Sequence, residues 1–279
     1  MATIRVPEVV PSPPEDSEKL MKAFEGLGTD EKAIIRVLGQ RNASQRKKIK
    51  ETFQQIYKKS LIDCLDSELS GDFGRAVILW AYDPSERDAR LANKALKSRR
   101  KNITELQVLV EIACASSPHH LAAVRQAYCA LFERSLEEDI ISNVSLPVQK
   151  VLVRLVSSYR YDKEAVDSSI ANMEAVILHD AIRTKNLDDD DLVWILSIRN
   201  IFQLRATFQC YKDNYGKSID EDIRACGKGI LESILKVVVW CIDSPERHFA
   251  EVITIFKLLL MLLLRLLCIS TSTPIGITT

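Results

Sequence analysis

The feature that most constrains this chain is an internal repeat, because the sequence resembles itself after a shift of about 75 residues and again after a further shift of about 83. The first shift places Thr29 on Thr104, and the second places Tyr128 on Tyr211. Apolar positions follow in the same register, namely Ile34 with Leu109 and Leu192, and Leu65 with Ile140 and Ile223. Three copies in register indicate a protein built from repeated supersecondary units that pack on one another.

The residues within each copy have the spacing of α-helices. Apolar residues recur on one face, as in 33–38, and few stretches alternate with period two. Asp16 is predicted to cap a helix that ends at Phe24, and Thr29 is predicted to cap a second helix. Three further helices of the first copy are predicted at roughly 43–58, 60–69 and 72–81. We therefore predict an all-α fold, an array of five-helix repeats of about 70 residues, with three complete and a fourth partial.

The repeat also predicts the domain boundaries. Repeat 1 is expected at 11–82, repeat 2 at 83–157, repeat 3 at 166–242 and a partial repeat 4 at 243–279. The partial repeat opens with Asp243–Ala250, which echoes the start of repeat 2, and then continues as a Leu-rich tail over 252–270.

The Leu-rich tail leaves three interpretations open. Lys257 and Arg265 interrupt it, and a membrane span needs about 20 mostly apolar residues, which disfavours a transmembrane helix. The tail is alternatively an altered C-terminus whose apolar side chains cover the surface that a complete repeat 4 would bury. If they leave that surface uncovered, the exposed patch favours aggregation or lipid binding.

Composition limits the partners and the compartment. Lys and Arg together number 38, and Asp and Glu also number 38, so the formal net charge is zero. The overall charge of the chain therefore does not favour nucleic acid, and we expect no nucleic acid as a partner. Attraction to a phospholipid surface must then be local or supplied by a bound cation. The seven cysteines lack metal-type spacing, which favours a reducing compartment. The segment up to Glu15 has no apolar signal core, so we expect a cytosolic protein.

One loop of repeat 1 has the residues of a calcium site. Gly26 and Gly28 lie between two predicted helices, where they let the chain turn so that successive carbonyl oxygens point one way. Glu68, forty residues after Gly28, lies near the end of the fourth predicted helix. Calcium takes six to eight oxygen ligands. We therefore predict that Phe24, Gly26 and Gly28 provide carbonyl oxygens and that Glu68 provides both carboxylate oxygens, in a weak site with positions left for water or a lipid phosphate.

The Gly-x-Gly-Thr motif, the acid forty positions after it and the repeat of about 70 residues together resemble the annexins, and most closely the plant annexins, over about residues 1–252. The resemblance implies calcium-dependent, peripheral binding to anionic phospholipid membranes, with Ca2+ as the cofactor and no enzymatic activity. It also implies self-association on membranes, a cytoplasmic location that becomes membrane-associated when calcium rises, and a role in stress responses. Annexins of this type have four repeats, and plant annexins usually keep calcium sites in repeats 1 and 4.

The same register tests the other repeats for calcium ligands. At the positions of Gly26, Gly28 and Glu68, repeat 2 has Lys101, Ile103 and Asn143, and repeat 3 has Thr184, Asn186 and Cys226. Both repeats lack the turn and the carboxylate, so we expect no equivalent site in either. The basic run Lys97–Lys101 lies in the repeat 2 loop, where it either contacts anionic headgroups directly or is a solvated turn.

Other chemistry lacks a complete motif. Gly216-Lys217-Ser218 has Tyr211 where a P-loop needs its first glycine, and it aligns with an interhelical junction. Gln40 stands where plant annexins with an attributed peroxidase activity have a histidine. Cys114 and Cys241 resemble the paired cysteines to which redox chemistry is attributed in some plant annexins, or they are two buried small hydrophobes. The alternatives to a membrane-binding protein are therefore a truncated product that acts as a scaffold or lacks function, and a redox protein.

Overall fold

The structure, a computed structural model, describes residues 7–26, 28–99 and 102–254. These residues form fifteen α-helices and a further helical segment over 245–254. The described residues contain no β-strand. The predicted all-α class is therefore confirmed.

The fifteen helices fall into three successive groups of five, in the order that the repeat predicts. The first group is α1 (Pro13–Phe24), α2 (Glu31–Leu38), α3 (Ala43–Tyr57), α4 (Leu61–Glu68) and α5 (Gly71–Ala81). The second is α6 (Pro84–Lys97), α7 (Ile103–Cys114), α8 (Pro118–Phe132), α9 (Leu136–Asn143) and α10 (Val148–Ser157). The third is α11 (Ser168–Arg183), α12 (Asp190–Ile198), α13 (Ile201–Tyr215), α14 (Ile219–Cys226) and α15 (Ile230–Asp243).

The described chain forms two compact units. The first contains the residues up to Leu91 together with Gln126–Leu131. Within it, α1 packs on α2 and α3, and α4 packs on α5. Its core is apolar and includes the buried residues Leu20, Ile34, Ile49, Phe53 and Leu65. The helices of repeat 1 therefore have a core of their own.

The second unit contains Ala92–Arg125 and the described residues from Phe132 onward. Within it, repeat 2 and repeat 3 contact each other through the second and fifth helix of each group. Helix α7 packs on α15, and α10 packs on α12. Repeat 3 is also closed internally, because α11 packs on α13 and α14 packs on α15.

Two predicted helix caps are wrong. Helix α1 begins three residues before Asp16, because Ser12 accepts the cap hydrogen bond from the Glu15 N–H, and Pro13 occupies the first helical position. Asp16 is instead 1% exposed and accepts two bonds from the Arg41 guanidinium, at 2.7 and 2.9 Å. Helix α2 is capped by Asp30 rather than Thr29, since the Asp30 carboxylate accepts from the Ala33 N–H at 3.0 Å.

The Leu-rich tail lies outside the described residues from 255 onward, and so do Arg100 and Lys101 of the basic run. Within the described residues, no helix combines the length and the hydropathy that a bilayer span requires.

Candidate metal centre

The loop between α1 and α2 is closed by backbone hydrogen bonds at both ends. The Glu25 N–H donates to the Lys22 carbonyl at 3.2 Å, and the Asp30 N–H donates to the Ala23 carbonyl at 2.9 Å. Neither bond uses the carbonyl of Phe24. The Phe24 ring packs edge-on against Phe53, with 6.2 Å between centroids. The position of Phe24 is therefore fixed by the core, while its carbonyl is outside the bonds that close the loop.

Both glycines of the loop have backbone angles that other residues rarely adopt. The φ angle is +113° at Gly26 and +95° at Gly28. A Cβ atom built on either residue would meet nothing within 4 Å. The requirement for glycine is therefore conformational rather than steric, because side chains disfavour positive φ even in open space.

Glu68 lies beside this loop. It is the last residue of α4 and is exposed to solvent. The Thr29 hydroxyl lies 3.0 Å from Oε2 of Glu68 and 3.2 Å from its backbone oxygen, so it donates to either. Thr29 immediately follows Gly28, so this contact brings the carboxylate to the end of the glycine turn.

Thr29 makes a contact at the candidate site that the sequence does not predict. Its sequence context predicts a helix cap, but the cap is Asp30, and the Thr29 hydroxyl is directed to the carboxylate of Glu68. The signal is present in the threonine of the Gly-x-Gly-Thr motif. Because Thr29 and Asp30 are both good cap residues and are adjacent, local sequence alone does not separate their roles.

The arrangement offers oxygen atoms and one negative charge. Among the described residues, no group of three or more His, Cys, Asp or Glu side chains is placed to hold a metal. The predicted ligands at this loop are therefore mainly backbone oxygens, with the carboxylate of Glu68 as the predicted acidic ligand. That donor set fits a hard ion such as Ca2+, which takes carbonyl and carboxylate oxygens in a flexible shell, and it does not fit zinc, which takes nitrogen and sulfur ligands.

Repeat 2 presents a different arrangement at the equivalent positions. Ile103 is the first residue of α7, and Asn102 caps that helix with bonds from the Thr104 and Glu105 N–H groups. Asn143, at the position of Glu68, donates its amide to the Asp139 carbonyl at 2.8 Å. The Asn143 side chain is thus bonded to its own helix.

Repeat 3 is closed at the positions where repeat 1 is open. The Cys226 thiol, at the position of Glu68, lies 3.3 Å from the Ile182 carbonyl and 3.4 Å from the Asp222 carbonyl of its own helix, so it donates to either. Ile182 stands where repeat 1 has Phe24. The Asn186 N–H donates to the Ala181 carbonyl at 2.9 Å, so the chain turns back after five residues instead of the seven in repeat 1. The two sides of the loop are therefore joined by a direct hydrogen bond.

The basic run of repeat 2 is only partly described. Lys97 ends α6 and lies 3.4 Å from the Asp139 carboxylate, with its side chain about half exposed. Asp139 also pairs with Arg134 at 3.2 Å. In the described part of the run, Lys97 therefore has an anionic partner within the protein.

The segment Gly216–Ser218 is an interhelical junction, as its alignment indicates. Gly216 ends α13 with a φ of 73°, and Ser218 is the residue that precedes α14. The Ser218 N–H is bonded to the Glu221 carboxylate at 3.2 Å. These groups form a capping box rather than a phosphate-binding loop.

Cys114 and Cys241 are both buried. They are 1% and 2% exposed and belong to α7 and α15, which pack together. Burial raises the pKa of the Cys114 thiol, although the charge of Arg160 opposes the shift. Burial also raises the pKa of the Cys241 thiol. Because the thiolate is the reactive form, both residues have the character of small core hydrophobes.

The chain matches a known family along most of its length. The family model described as Annexin matches three times, over residues 15–80, 87–155 and 173–238. Annexin D3 of Arabidopsis thaliana is 57% identical over 256 residues, which cover 91% of this chain and 80% of that protein.

Solved structures have the same fold. The chicken annexin V structure in complex with Zn2+ is similar with a TM-score of 0.79 at 31% identity, covering 90% of this chain and 78% of that one. The structure of calcium-bound annexin (Sm)1 is similar with a TM-score of 0.70 at 26% identity, covering 83% of this chain and 70% of that one.

Proposed function

The chain belongs to the annexin family, whose members in general bind phospholipids in a calcium-dependent way, and from this premise we propose that it binds calcium in repeat 1 and attaches there to anionic phospholipid. The observation that carries the proposal is the contact between Thr29 and Glu68, 3.0 Å from hydroxyl to carboxylate. It brings the acid of the motif to a loop that is already turned by two glycines at positive φ.

Each residue has a separate role in the proposed site. Gly26 and Gly28 turn the backbone, and their carbonyls together with that of Phe24 are the neutral ligands. Glu68 is the charged ligand, and Thr29 holds its carboxylate in place. Bound there, Ca2+ supplies coordination positions that water or a lipid phosphate oxygen fills. The chain has no net charge, so its overall charge does not attract an anionic membrane. Attachment through such a local site therefore makes membrane binding depend on calcium.

The location and the association of the protein follow from the same proposal. We expect a cytoplasmic protein that becomes peripherally attached to membranes when calcium rises and that self-associates there. Repeat 2 and repeat 3 are expected to add no equivalent site, because Asn143 is bonded to its own helix and the Cys226 thiol lies 3.3 Å from the Ile182 carbonyl. Attachment through one site is weak, because each further site in a multivalent contact multiplies avidity.

The test is co-sedimentation with vesicles of phosphatidylserine and phosphatidylcholine, in calcium and in chelator. Wild type should pellet with vesicles in calcium only. Glu68→Gln keeps the size of the side chain and removes the charge, so half-maximal pelleting should need at least roughly tenfold more calcium. Asp66→Asn removes a charge from an exposed residue of the same helix and should behave as wild type.

Three results would contradict the proposal. Pelleting in chelator that is equal for wild type and Glu68→Gln would mean that lipid is bound by another segment, such as the Leu-rich tail. Equal losses in Glu68→Gln and Asp66→Asn would indicate a general charge effect. A folded wild type that never pellets would favour the alternative, a scaffold or non-functional product. Circular dichroism on each sample establishes that it is folded.

A further inference from the structure

The second and fifth helices of repeats 2 and 3 form an internal interface in the second unit. Helix α7 packs on α15 and α10 packs on α12, so each repeat contributes the same two helices to the contact. The arrangement is reciprocal, because the second helix of each repeat packs on the fifth helix of the other repeat. A contact in which both partners use the same surface is the kind that two-fold symmetry generates.

The equivalent surface of repeat 1 is exposed at its second helix. Val110 on α7 is 0% exposed, and Val193 on α12 is 2% exposed. Ile35 on α2 occupies the same position of the repeat, but it is 52% exposed. The residue is equally apolar in all three repeats, and only in repeat 1 does it face water.

The fifth helix of repeat 1 is also more exposed than its counterparts in repeats 2 and 3. Val151 on α10 and Ile234 on α15 are buried, with exposures of 2% and 0%. Ala76 on α5 occupies the same position of the repeat and is exposed. Both helices that make the contact in repeats 2 and 3 thus have an apolar counterpart in repeat 1, and no described part of the chain covers that counterpart at Ile35 or Ala76.

The two helices enclose an apolar groove of about 320 Å³. Its lining side chains come from α2 and α5 and include Ile34, Ile35, Leu38, Phe73, Val77 and Trp80. We call this surface the α2–α5 face. Apolar surface of this kind is stabilised when another apolar surface removes it from water.

We propose that the α2–α5 face is a dimer interface between two copies of this chain, with α2 of each copy packed on α5 of the other. The partner is a second copy because the contact between repeats 2 and 3 shows what buries the equivalent surface in those repeats. It packs on the same two helices of another repeat, and the α2–α5 face of a second copy offers those helices. Such a contact closes with two-fold symmetry and requires neither calcium nor lipid.

The pairing of repeats 2 and 3 also indicates how the proposed calcium sites would be placed. The segment after α9, Ser145–Val148, and the start of α15, Ile230–Glu232, line one groove. The beginnings of α10 and α15, which are the fifth helices of repeats 2 and 3, therefore lie on the same side of the interface between these repeats. A dimer built in the same way has both Glu68 residues on one side, where both can reach one membrane.

The test uses the full chain in chelator and without lipid, measured by sedimentation velocity and light scattering over a range of concentrations. Wild type should reach twice the 31.5 kDa mass of the chain. Ile35→Glu on α2 and Ala76→Glu on α5 should each give monomers. Ile56→Glu is the matched control, since Ile56 is 49% exposed and belongs to α3, outside the groove. It should remain dimeric.

The results of this experiment distinguish a second copy from other segments that could cover the α2–α5 face. A wild type that is monomeric at every concentration would overturn the proposal, as expected if residues 255–269 of the same chain cover the α2–α5 face. A dimer that persists in both Ile35→Glu and Ala76→Glu would also overturn it, because association would then use another surface. The far-UV circular dichroism spectrum at low temperature should be the same in all variants, because each substituted side chain is exposed within a single copy and its replacement does not disturb the fold of that copy.

Discussion

The Thr29 hydroxyl lies 3.0 Å from Oε2 of Glu68, across 39 positions of sequence. This hydrogen bond joins the loop after α1 to the end of α4. The two parts of the calcium motif are thus adjacent within a single repeat, which has its own buried core around Phe53. The loop supplies the turn and α4 supplies the charge, so the proposed site depends on the packing of repeat 1 as a whole.

Thr29→Val should weaken calcium-dependent vesicle binding without unfolding repeat 1. Valine has the shape of threonine but no hydroxyl, so Glu68 loses its donor and its carboxylate is free to rotate away from the loop. A hydrogen bond to a charged group contributes up to about 1.5–3 kcal/mol, and solvent exposure reduces that. We therefore expect half-maximal vesicle binding at roughly fivefold higher calcium, measured by co-sedimentation over a calcium series.

Thr29→Ser is the control for this prediction. Serine keeps the hydroxyl and loses only the methyl group, so its calcium dependence should stay close to that of wild type. If Thr29→Val binds vesicles at the same calcium concentration as Thr29→Ser, the contact with Glu68 has no part in binding.

Gly26→Ala and Gly28→Ala should impair calcium binding more than they impair folding. A methyl group meets no neighbour at either position, so the cost is the positive φ alone, on the order of 1–3 kcal/mol. The loop relieves this strain by changing its backbone angles, which redirects the carbonyl oxygens. We expect a small fall in the melting temperature by circular dichroism and a large loss of calcium-dependent vesicle binding.

Gly216→Ala is the control for the effect of backbone strain on stability, because it introduces the same kind of strain outside the proposed calcium site. Gly216 also has a positive φ, 73°, and a Cβ atom added there would meet nothing within 4 Å, but this glycine ends α13 in repeat 3. The substitution should lower the melting temperature while calcium-dependent binding is retained. An equal loss of binding in Gly216→Ala and Gly28→Ala would mean that general instability explains both.

The sequence is sufficient to predict the helical class and the three repeats. Both are properties of spacing, since apolar residues at helical intervals and a shift that keeps them in register need no knowledge of tertiary contacts. The acid of the candidate site is also identified by position alone, and Glu68 does lie beside the loop. These features are set by patterns that are visible in the chain itself.

Burial and side-chain partners are not predictable in the same way. Ile35 and Val110 occupy equivalent positions in similar patterns, yet one is 52% exposed and the other 0%. The difference depends on whether another repeat covers the helix. Similarly, Asp16 has the sequence context of a helix cap but forms a buried pair with Arg41. In both cases the outcome is decided by residues that are distant in sequence.

Asp16→Ala should strongly destabilise the protein. The side chains of Asp16 and Arg41 are 1% and 4% exposed, so the substitution leaves the guanidinium buried without its counter-charge. Breaking a buried pair in this way costs about 3–5 kcal/mol. Glu18→Ala removes a pair with Lys22 that is exposed to solvent, so it should change stability far less than Asp16→Ala does. Urea unfolding followed by circular dichroism measures both, and equal effects would contradict the importance of burial.

The cysteines should react with an alkylating reagent in the order of their exposure. Burial raises the pKa of Cys114 and Cys241, and each unit of increase lowers the thiolate fraction about tenfold. Cys129 is exposed. In the native protein at about pH 8, Cys129 should therefore be labelled at least roughly tenfold faster than the two buried thiols, as followed by mass spectrometry. Rapid labelling of Cys114 or Cys241 would instead support the redox alternative.

Repeat 3 should gain a calcium site only when both parts of the motif are supplied. Cys226→Glu alone adds the acid but leaves a loop that is closed by the bond from the Asn186 N–H to the Ala181 carbonyl. Adding Thr184→Gly and Asn186→Gly permits the wider turn. In a Glu68→Gln background, we expect the triple variant to restore calcium-dependent vesicle binding and the single variant to restore none. Restoration by Cys226→Glu alone would show that the acid is sufficient, and the glycine turn would then lose its assigned role.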